Sequence, residues 1–427
     1  MSSSHASPAS RALPPDAGAS WEDDELGVRP LSLLELELSL DSASIDGLEA
    51  AVRSVTKDGL REALSRIPEI EEVGLLTTCH RVEILLLSRD GAVLERCLEL
   101  LPGDRAAWRA RQGREVVHHL FRVAAGRESL AVGEAEVRHQ VRAAAGSVVS
   151  RHPRSILREL FAGSAAAADE LCPSVPPSRS IASVATTRLR DLLAALPRPA
   201  VLVIGSGTIG RQVTEHLAPF ARVTVVYHHR PPDEAFLAMT GAHAVPLERM
   251  APELATSDAV VTAAKFGDRG LRSTDVPRDR PIVMVDLGVP RNIDPDVRSL
   301  ANVRLIDLAE LRALRSHSAL EEDDDLRVAE FAERFADRID RLLLEPWVDA
   351  IRRYAEELRR AEVERARPFL GELDPRQEQA VERLTLCLVA RLLLAPTERI
   401  RSLPPGPEGD LPRRLAVALL QPPASDL

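Results

Sequence analysis

Leucine alternates with serine and glutamate from Leu31 to Leu40, a period of two that predicts a strand. The spacing then lengthens, and apolar residues from Ile45 to Ile67 recur at helical intervals. The run Gly74-Leu75-Leu76 next enters a polar knot, Thr77-Thr78-Cys79-His80-Arg81, before apolar character resumes at Val82-Glu83-Ile84-Leu85-Leu86-Leu87. That reads as a buried strand, a short interruption, and a second strand or helix start. From Glu115 to Ser147 the pattern is helical again. Val116, Leu120 and Val123 share a face there, His119 lies beside it, and Gly126 and Gly133 are placed to end or bend helices.

After Cys172-Pro173-Ser174-Val175-Pro176-Pro177, which reads as a crossover, a helix is predicted over Ile181–Leu196. Short strands follow at Ala200–Ile204, Arg222–Tyr227, Ala259–Ala263 and Ile282–Leu287, with a helical stretch to Leu217 between the first two. From about Leu308 to Ala366 nearly everything can be helical, and Val381–Leu394 is apolar-periodic again. Pro346 should bend or interrupt the long helix. A helix of that length needs other domains or a second subunit to pack along. The acid run Glu321-Glu322-Asp323-Asp324-Asp325 reads as a solvated face. The whole is a multidomain α/β chain: an α+β part, a parallel α/β part and a helical end.

Its 427 residues suit two or three domains, and 45% hydrophobic with 28% charged residues is ordinary for a globular protein. The net charge of −10 gives no bulk attraction to nucleic acid, so such a partner would need a local arginine patch. Arg359, Arg360, Arg365 and Arg367 are the candidates, with ordinary surface charge as the alternative. Cys79, Cys97, Cys172 and Cys387 form no Cys-x-x-Cys pair, which argues against structural zinc and a secreted disulfide framework. The last three read as structural or incidental. No apolar run approaches bilayer length. The first residues, to about Leu26, lack a signal pattern and read as a disordered tail on a cytoplasmic protein.

Two stretches carry chemistry. Cys79 is flanked by an imidazole and a guanidinium, both of which favour the reactive thiolate; the plainer alternative is a small core residue. Gly205-Ser206-Gly207-Thr208-Ile209-Gly210 follows a strand directly and opens a helix, the context in which Gly-x-Gly-x-x-Gly binds a dinucleotide pyrophosphate. Past the next strand stand His228, His229 and Arg230, with no acid until Asp233. Donors with a fixed positive charge suit a 2′-phosphate, hence NADP rather than NAD, although the two histidines could simply cap the strand. The loop from Gly288 to Pro295, at the C-terminal end of a strand, is either ligand-facing or a plain turn.

Taken together, these blocks resemble the glutamyl-tRNA reductase family, from about Glu71 to Leu403. Thr78-Cys79-His80-Arg81-Val82-Glu83-Ile84 is similar to the family's Thr-Cys-Asn-Arg active-site segment. His119–Gly126, followed by Ser129, Gly133, Glu134, Gln140 and Val141, resembles its second signature. Gly205–Gly210 matches its NADP loop, Asp286–Arg291 and Asp307-Leu308 its later blocks, and Pro346–Ala366 its characteristic helix. The resemblance implies a V-shaped homodimer. Residues 1–28 would be a tail, 29–170 the catalytic (substrate) domain and 171–308 the Rossmann-like NADP domain. A long spinal helix and helical dimerisation domain would occupy 309–403, and 404–427 a second tail. It implies reduction of glutamyl-tRNA to glutamate-1-semialdehyde by NADPH through a Cys79 thioester, opening tetrapyrrole synthesis, with no metal required. His119 would assist as acid–base, and Arg81 would clamp the substrate carboxylate. Thr78, His80, Ser129, Glu134, Ala135, Glu136 and Gln140 would line the substrate. An aminomutase would be a possible partner for the aldehyde.

Departures from the family pattern leave the substrate open. His80 replaces Asn, and Glu134-Ala135-Glu136 stands for Glu-Pro-Gln. The family's His-Lys-Thr-Ala-Pro block is not recognisable in Leu31–Leu48, and Asp169-Glu170 occupies a normally basic segment, where it would oppose an anion. The alternatives are a paralogue using another acyl donor, a non-covalent NADP-linked dehydrogenase, and a non-catalytic NADP or tRNA binder.

Overall fold

The computed structural model describes residues 31–56, 59–129, 135–171, 180–264, 270–313 and 320–403. The opening alternation forms β1 (Ser32–Ser39), and α1 (Ile45–Thr56) and α2 (Gly59–Ser65) stand where one helix is predicted. β2 (Ile70–Thr77) and β3 (Arg81–Ser88) pair antiparallel across the polar knot, so the segment after it is a strand. α3 (Val93–Leu100), β4 (Arg109–Gln112), α4 (Arg114–Ala124), α5 (Ala135–Gly146), β5 (Val149–Ser150) and α6 (Ile156–Leu171) follow. The result is a five-stranded sheet in the order β4-β1-β3-β2-β5.

Side chains alternate across this sheet, and each face has its own core. Leu34, Leu36 and Leu38 of β1 join Val82, Ile84 and Leu86 of β3 beneath α1, α2 and α3. Leu33, Leu76, Leu85 and Leu87 face the other way, against α4, α5 and α6. α6 has no clear signal in the sequence pattern, and its start is secured from outside. The buried carboxylate of Glu72 on β2 accepts from the Ile156 and Leu157 amides at 3.1 and 2.8 Å and from the Ser155 hydroxyl at 2.8 Å. A strand residue thus satisfies the orphan donors of a helix N-terminus.

The second sheet follows α7 (Ile181–Leu192) and contains β6 (Ala200–Ile204), β7 (Arg222–Tyr227), β8 (His243–Pro246), β9 (Ala259–Thr262), β10 (Ile282–Asp286) and β11 (Val303–Ile306). Interleaved are α8 (Thr208–Leu217), α9 (Glu234–Thr240) and α10 (Met250–Thr256). All neighbours are parallel in the order β11-β10-β9-β6-β7-β8. Counted from β6 this is the doubly wound order, with its switch point between β6 and β9. The proposed crossover at Cys172–Pro177 lies outside the described residues. Arg291, in the loop after β10, donates through its backbone amide and Nε to Glu49 on α1, the latter at 2.9 Å. That loop is thereby fixed to the first domain.

α11 (Leu308–Ala313) leads to α12 (Leu320–Leu370), whose 51 residues run through Pro346 without interruption. Proline removes one backbone bond there, and the surrounding turns keep theirs. Val328, Ala332, Ala336 and Ile339 enter the same core as α4 and α6. Arg114 reaches Glu333, Asp337 and Asp340 along one side of the helix. Of the acid run, only Asp325 has a described side chain, and it pairs with Arg127 at 3.2 Å instead of facing solvent alone. Compactness divides between Glu345 and Pro346. Within the later unit, α13 (Pro375–Arg401) is capped by Asp374 and tied to α12 by buried Arg359, which bonds Glu382 and Thr385. Arg360, Arg365 and Arg367 also pair with glutamates of their own helix. Among the described residues no helix is long and apolar enough to cross a membrane.

Gly74 on β2 is where α6 comes closest to the sheet: a Cβ there would lie 2.6 Å from Cε2 of fully buried Phe161. Gly74→Ala should therefore cost about 1–3 kcal/mol through overpacking, read as a lower urea midpoint. An unchanged midpoint would mean that the Phe161 ring can move aside.

Candidate active site

Cys79 and His80 are the two residues that turn β2 into β3. Thr77 pairs with Val82, the Thr78 amide donates to the Arg81 carbonyl at 3.0 Å, and the His80 amide donates to Thr78 Oγ1 at 3.2 Å. The Leu40 amide donates to the His80 carbonyl at 3.1 Å, tying the tip to the end of β1. Thr78 and His80 are buried, while Cys79 is half-buried. Its Sγ lies 2.9 Å from His80 Nδ1, close enough for a shared proton. Cys97 is the contrast: burial pushes its thiol up to about 11, with Arg96 pulling only weakly the other way, so it is inert at neutral pH. Cys387 is exposed, and Cys172 lies outside the described residues.

Behind the tip lies a network that the sequence reading does not anticipate. β1 and β3 place Glu37 directly opposite Glu83, and β1 and β4 place Arg111 opposite Glu35. Like charges in register repel, and here cations separate them. Arg81 Nη1 lies 3.3 Å from Glu83 and 3.5 Å from Glu37, while Nη2 donates to the Glu128 carbonyl at 2.6 Å. Arg111 bonds Glu37 at 2.7 Å and Glu35 at 3.3 Å. His119 Nε2 sits 3.0 Å from Glu83. Burial raises the Glu37 carboxyl, but His119, Arg81 and Arg111 outweigh it and hold the group at about 2. The signal was present in the sequence: in Leu-Leu-Glu-Leu-Glu-Leu both glutamates occupy the face that, at Leu33, enters a core.

Arg81 therefore does not stand free as a substrate clamp; its guanidinium is held between two carboxylates and a carbonyl. Arg81, next in sequence to Thr78, Cys79 and His80, reaches His119 through Glu83 and the Ser129 loop through the Glu128 carbonyl. Buried Ser129 follows Glu128, whose carbonyl Arg81 holds, and the loop begins where Gly126, at φ +68°, ends α4. Glu136 and Gln140 are half-buried on α5, and Gln140 Oε1 has no hydrogen-bond partner. Ala135 begins α5; its side chain and all of Glu134 lie outside the described residues. Asp169 pairs with Arg138, at 3.2 Å, and with Arg142, so its charge is offset locally and does not stand as an anion barrier.

The Gly205–Gly210 turn sits at the switch point of the second sheet. Gly205 has φ +120°, and a Cβ there would lie 2.5 Å from the Ala263 carbonyl oxygen; one on Gly210 would lie 1.9 Å from the Gly205 oxygen. Gly207 is the N-cap of α8 and open, and Ser206, Thr208 and Ile209 flank it at the surface. This turn, which Cβ atoms at Gly205 or Gly210 would force apart, leaves the open α8 N-terminus that fits a pyrophosphate. His228, His229 and Arg230 are exposed beyond β7, with the two imidazoles 3.9 Å apart. Asp233 is engaged elsewhere, accepting from the Phe236 amide and pairing with Arg211 at 2.7 Å. At the end of β10, buried Asp286 accepts from the Gly288, Asn292 and Ile293 amides and the Thr262 hydroxyl. Burial raises its carboxyl against those donors.

Arg81→Leu should leave Glu37 and Glu83 facing each other and cost about 3–5 kcal/mol at pH 7. A residue whose only task is substrate binding would leave stability unchanged. Glu37, depressed from 4.5 to about 2, contributes stability above pH 4.5 that is lost as pH falls toward 2. The gap between wild type and Arg81→Leu should therefore narrow at pH 3, as urea titrations at both pH values would read.

Three family models match the chain. They are the N-terminal domain of glutamyl-tRNAGlu reductase over residues 36–171, shikimate / quinate 5-dehydrogenase over 188–314, and the glutamyl-tRNAGlu reductase dimerisation domain over 326–420. Glutamyl-tRNA reductase of Kineococcus radiotolerans is 30% identical over 417 residues, which are 89% of this chain and 91% of that one. The Myxococcus xanthus protein of that name is 30% identical, with 82% and 87% covered. A solved structure, glutamyl-tRNA reductase from Methanopyrus kandleri, is 25% identical with a TM-score of 0.49, covering 91% of this chain and 97% of that chain. By the identity and coverage of these sequence relatives, the chain belongs to the glutamyl-tRNA reductase family.

Proposed function

We propose that this chain reduces glutamyl-tRNA to glutamate-1-semialdehyde with NADPH, the step that opens tetrapyrrole synthesis and feeds an aminomutase. The observation that carries the reading is the sulfur of half-buried Cys79, 2.9 Å from His80 Nδ1, in a chain of this family. The thiolate attacks the aminoacyl ester carbonyl, the carbon–oxygen bond to tRNA breaks, and the departing 3′-hydroxyl takes up a proton. The acyl group is left on Cys79. His80 holds the sulfur's proton, and His119 is the acid–base group deeper in the site. NADPH, when bound, supplies the hydride that turns the acyl carbon into an aldehyde, and the sulfur leaves as thiolate. Gly205–Gly210 and the α8 N-terminus would hold the pyrophosphate, and His229 and Arg230 the 2′-phosphate, since Asp233 is occupied by α9 and Arg211.

Thr78, Ser129, Glu134, Ala135, Glu136 and Gln140 are the proposed substrate contacts. The occupied guanidinium of Arg81 favours a second reading on one point: recognition of the substrate carboxylate is not secured by it, and another acyl donor would suit the same thiol. Homodimer formation is supported by α13, where Leu384, Leu388 and Leu392 are more than half exposed on a helix matched by a dimerisation model.

Incubating the protein with glutamyl-tRNA and no NADPH should give a glutamyl adduct on Cys79 by mass spectrometry, and adding NADPH should release the aldehyde. Cys79→Ser should give neither. An adduct only with other aminoacyl-tRNAs would select the second reading, and full turnover by Cys79→Ser would end the covalent mechanism. Leu388→Glu combined with Leu392→Glu should halve the mass measured by light scattering.

A further inference from the structure

Glu35 has no part in the reaction just described, yet it faces its acid–base group with an unpartnered oxygen, on the far side from the closer Glu83 bond. It is fully buried on β1. Arg111 holds its Oε2 at 3.3 Å, while its Oε1 has no hydrogen-bond partner and lies 3.6 Å from His119 Nε2. Glu83 is equally buried; its Oε1 meets the same nitrogen at 3.0 Å and its Oε2 is unpartnered.

The charged groups facing this point come from every packed element: Glu35 and Glu37 from β1, Arg81 and Glu83 from β3, Arg111 from β4, and His119 from α4. Glu128, in the loop after α4, is neutralised by Arg122 at 2.7 Å. Three carboxylates thus face two guanidiniums where water has little access, leaving one negative charge uncompensated. One added proton balances the set, whereas a divalent cation would leave it one positive charge in excess. The imidazole and the unpartnered carboxylate oxygen beside it are the two places for that proton.

We propose that Glu35 is the positioning residue of His119: the two hold one proton between them, and Glu35 keeps the ring charged and oriented as a proton donor at neutral pH. The proposal rests on His119 acting as the acid–base group. Both groups are displaced in the sense that sharing requires. Burial pushes the Glu35 carboxyl up to about 7, with His119 and Arg111 pulling down and Glu83 and Glu37 adding to the rise. Burial pulls the His119 imidazolium down, but Glu35 and Glu83 outweigh it and leave it raised. The two titrate as a pair.

The test is a pH titration of full-length protein carrying ¹³C-labelled histidine, with the His119 signal assigned by its loss in His119→Gln. Wild-type His119 should be half-protonated above the free-imidazole value of ~6.5. Glu35→Gln should lower that midpoint by one pH unit or more, a tenfold loss of proton affinity, and Glu35→Asp should restore most of it. The alkaline limb of the reductive step, where the proton donor is lost, should move in parallel. Infrared spectra of the wild type, which need no variant, should show a protonated carboxyl band that disappears over the same pH range. A Glu35→Gln midpoint equal to wild type, a wild-type His119 that titrates like free imidazole, or zinc ions that abolish the titration would each overturn the proposal. The titration requires no substrate. A coupled pair in a protein that fails to reduce glutamyl-tRNA would refute the function and leave the pair standing, whereas normal reduction with an uncoupled His119 would do the reverse.

Discussion

The hairpin that presents Cys79 depends on the pairing of buried carboxylates with buried guanidiniums behind it. Strand register alone sets Glu37 against Glu83, an arrangement that would drive β1 and β3 apart at that end of the sheet. Arg81 and Arg111 turn the repulsion into cross-links, and because Arg81 also grips the Glu128 carbonyl, the loop bearing Ser129 is drawn to the same place. The network is polar where the face approaches the tip and gives way to Leu33, Leu85 and Leu87 farther along. One strand surface therefore serves as both core and site floor.

How much of this was legible differs with the range of the interaction. The Gly205–Gly210 turn was readable because its reasons are local: two glycines sit within a few ångströms of neighbouring backbone, and only Gly207 is left open. The strands of the second sheet were readable because they are buried on both faces and appear as unbroken apolar runs. Glu35 and Glu37 were readable as buried, by sharing a face with Leu33, but not as site residues, because their partners lie on β3, β4 and α4, far away in sequence. α6 was missed for a related reason, its N-terminus being capped by Glu72 from another element. Pro346 was expected to bend or interrupt α12 on local grounds, and the helix is not interrupted there.

Two departures from the family pattern acquire a physical meaning in the structure. Asp169 stands in a stretch that resembles the family's basic segment, and Arg138 and Arg142 on the facing helix absorb its charge. His80 replaces an asparagine and lies against the sulfur. In the first case the local balance is rebuilt; in the second the thiol gains a titratable neighbour that an amide could not provide.

The loop after β10 joins the two sheets in a way that bears on motion. Asp286 gathers its amides from below, and Arg291 fastens its outer side to Glu49 on α1. A rim built this way is already ordered before anything lands on it, so an arriving molecule bears no entropic penalty for freezing it. It also works like a pinned joint. Arg312 on α11, paired with Asp41, is a second such pin, so the second sheet can swing against its neighbour only by carrying both arginines along or unfastening them.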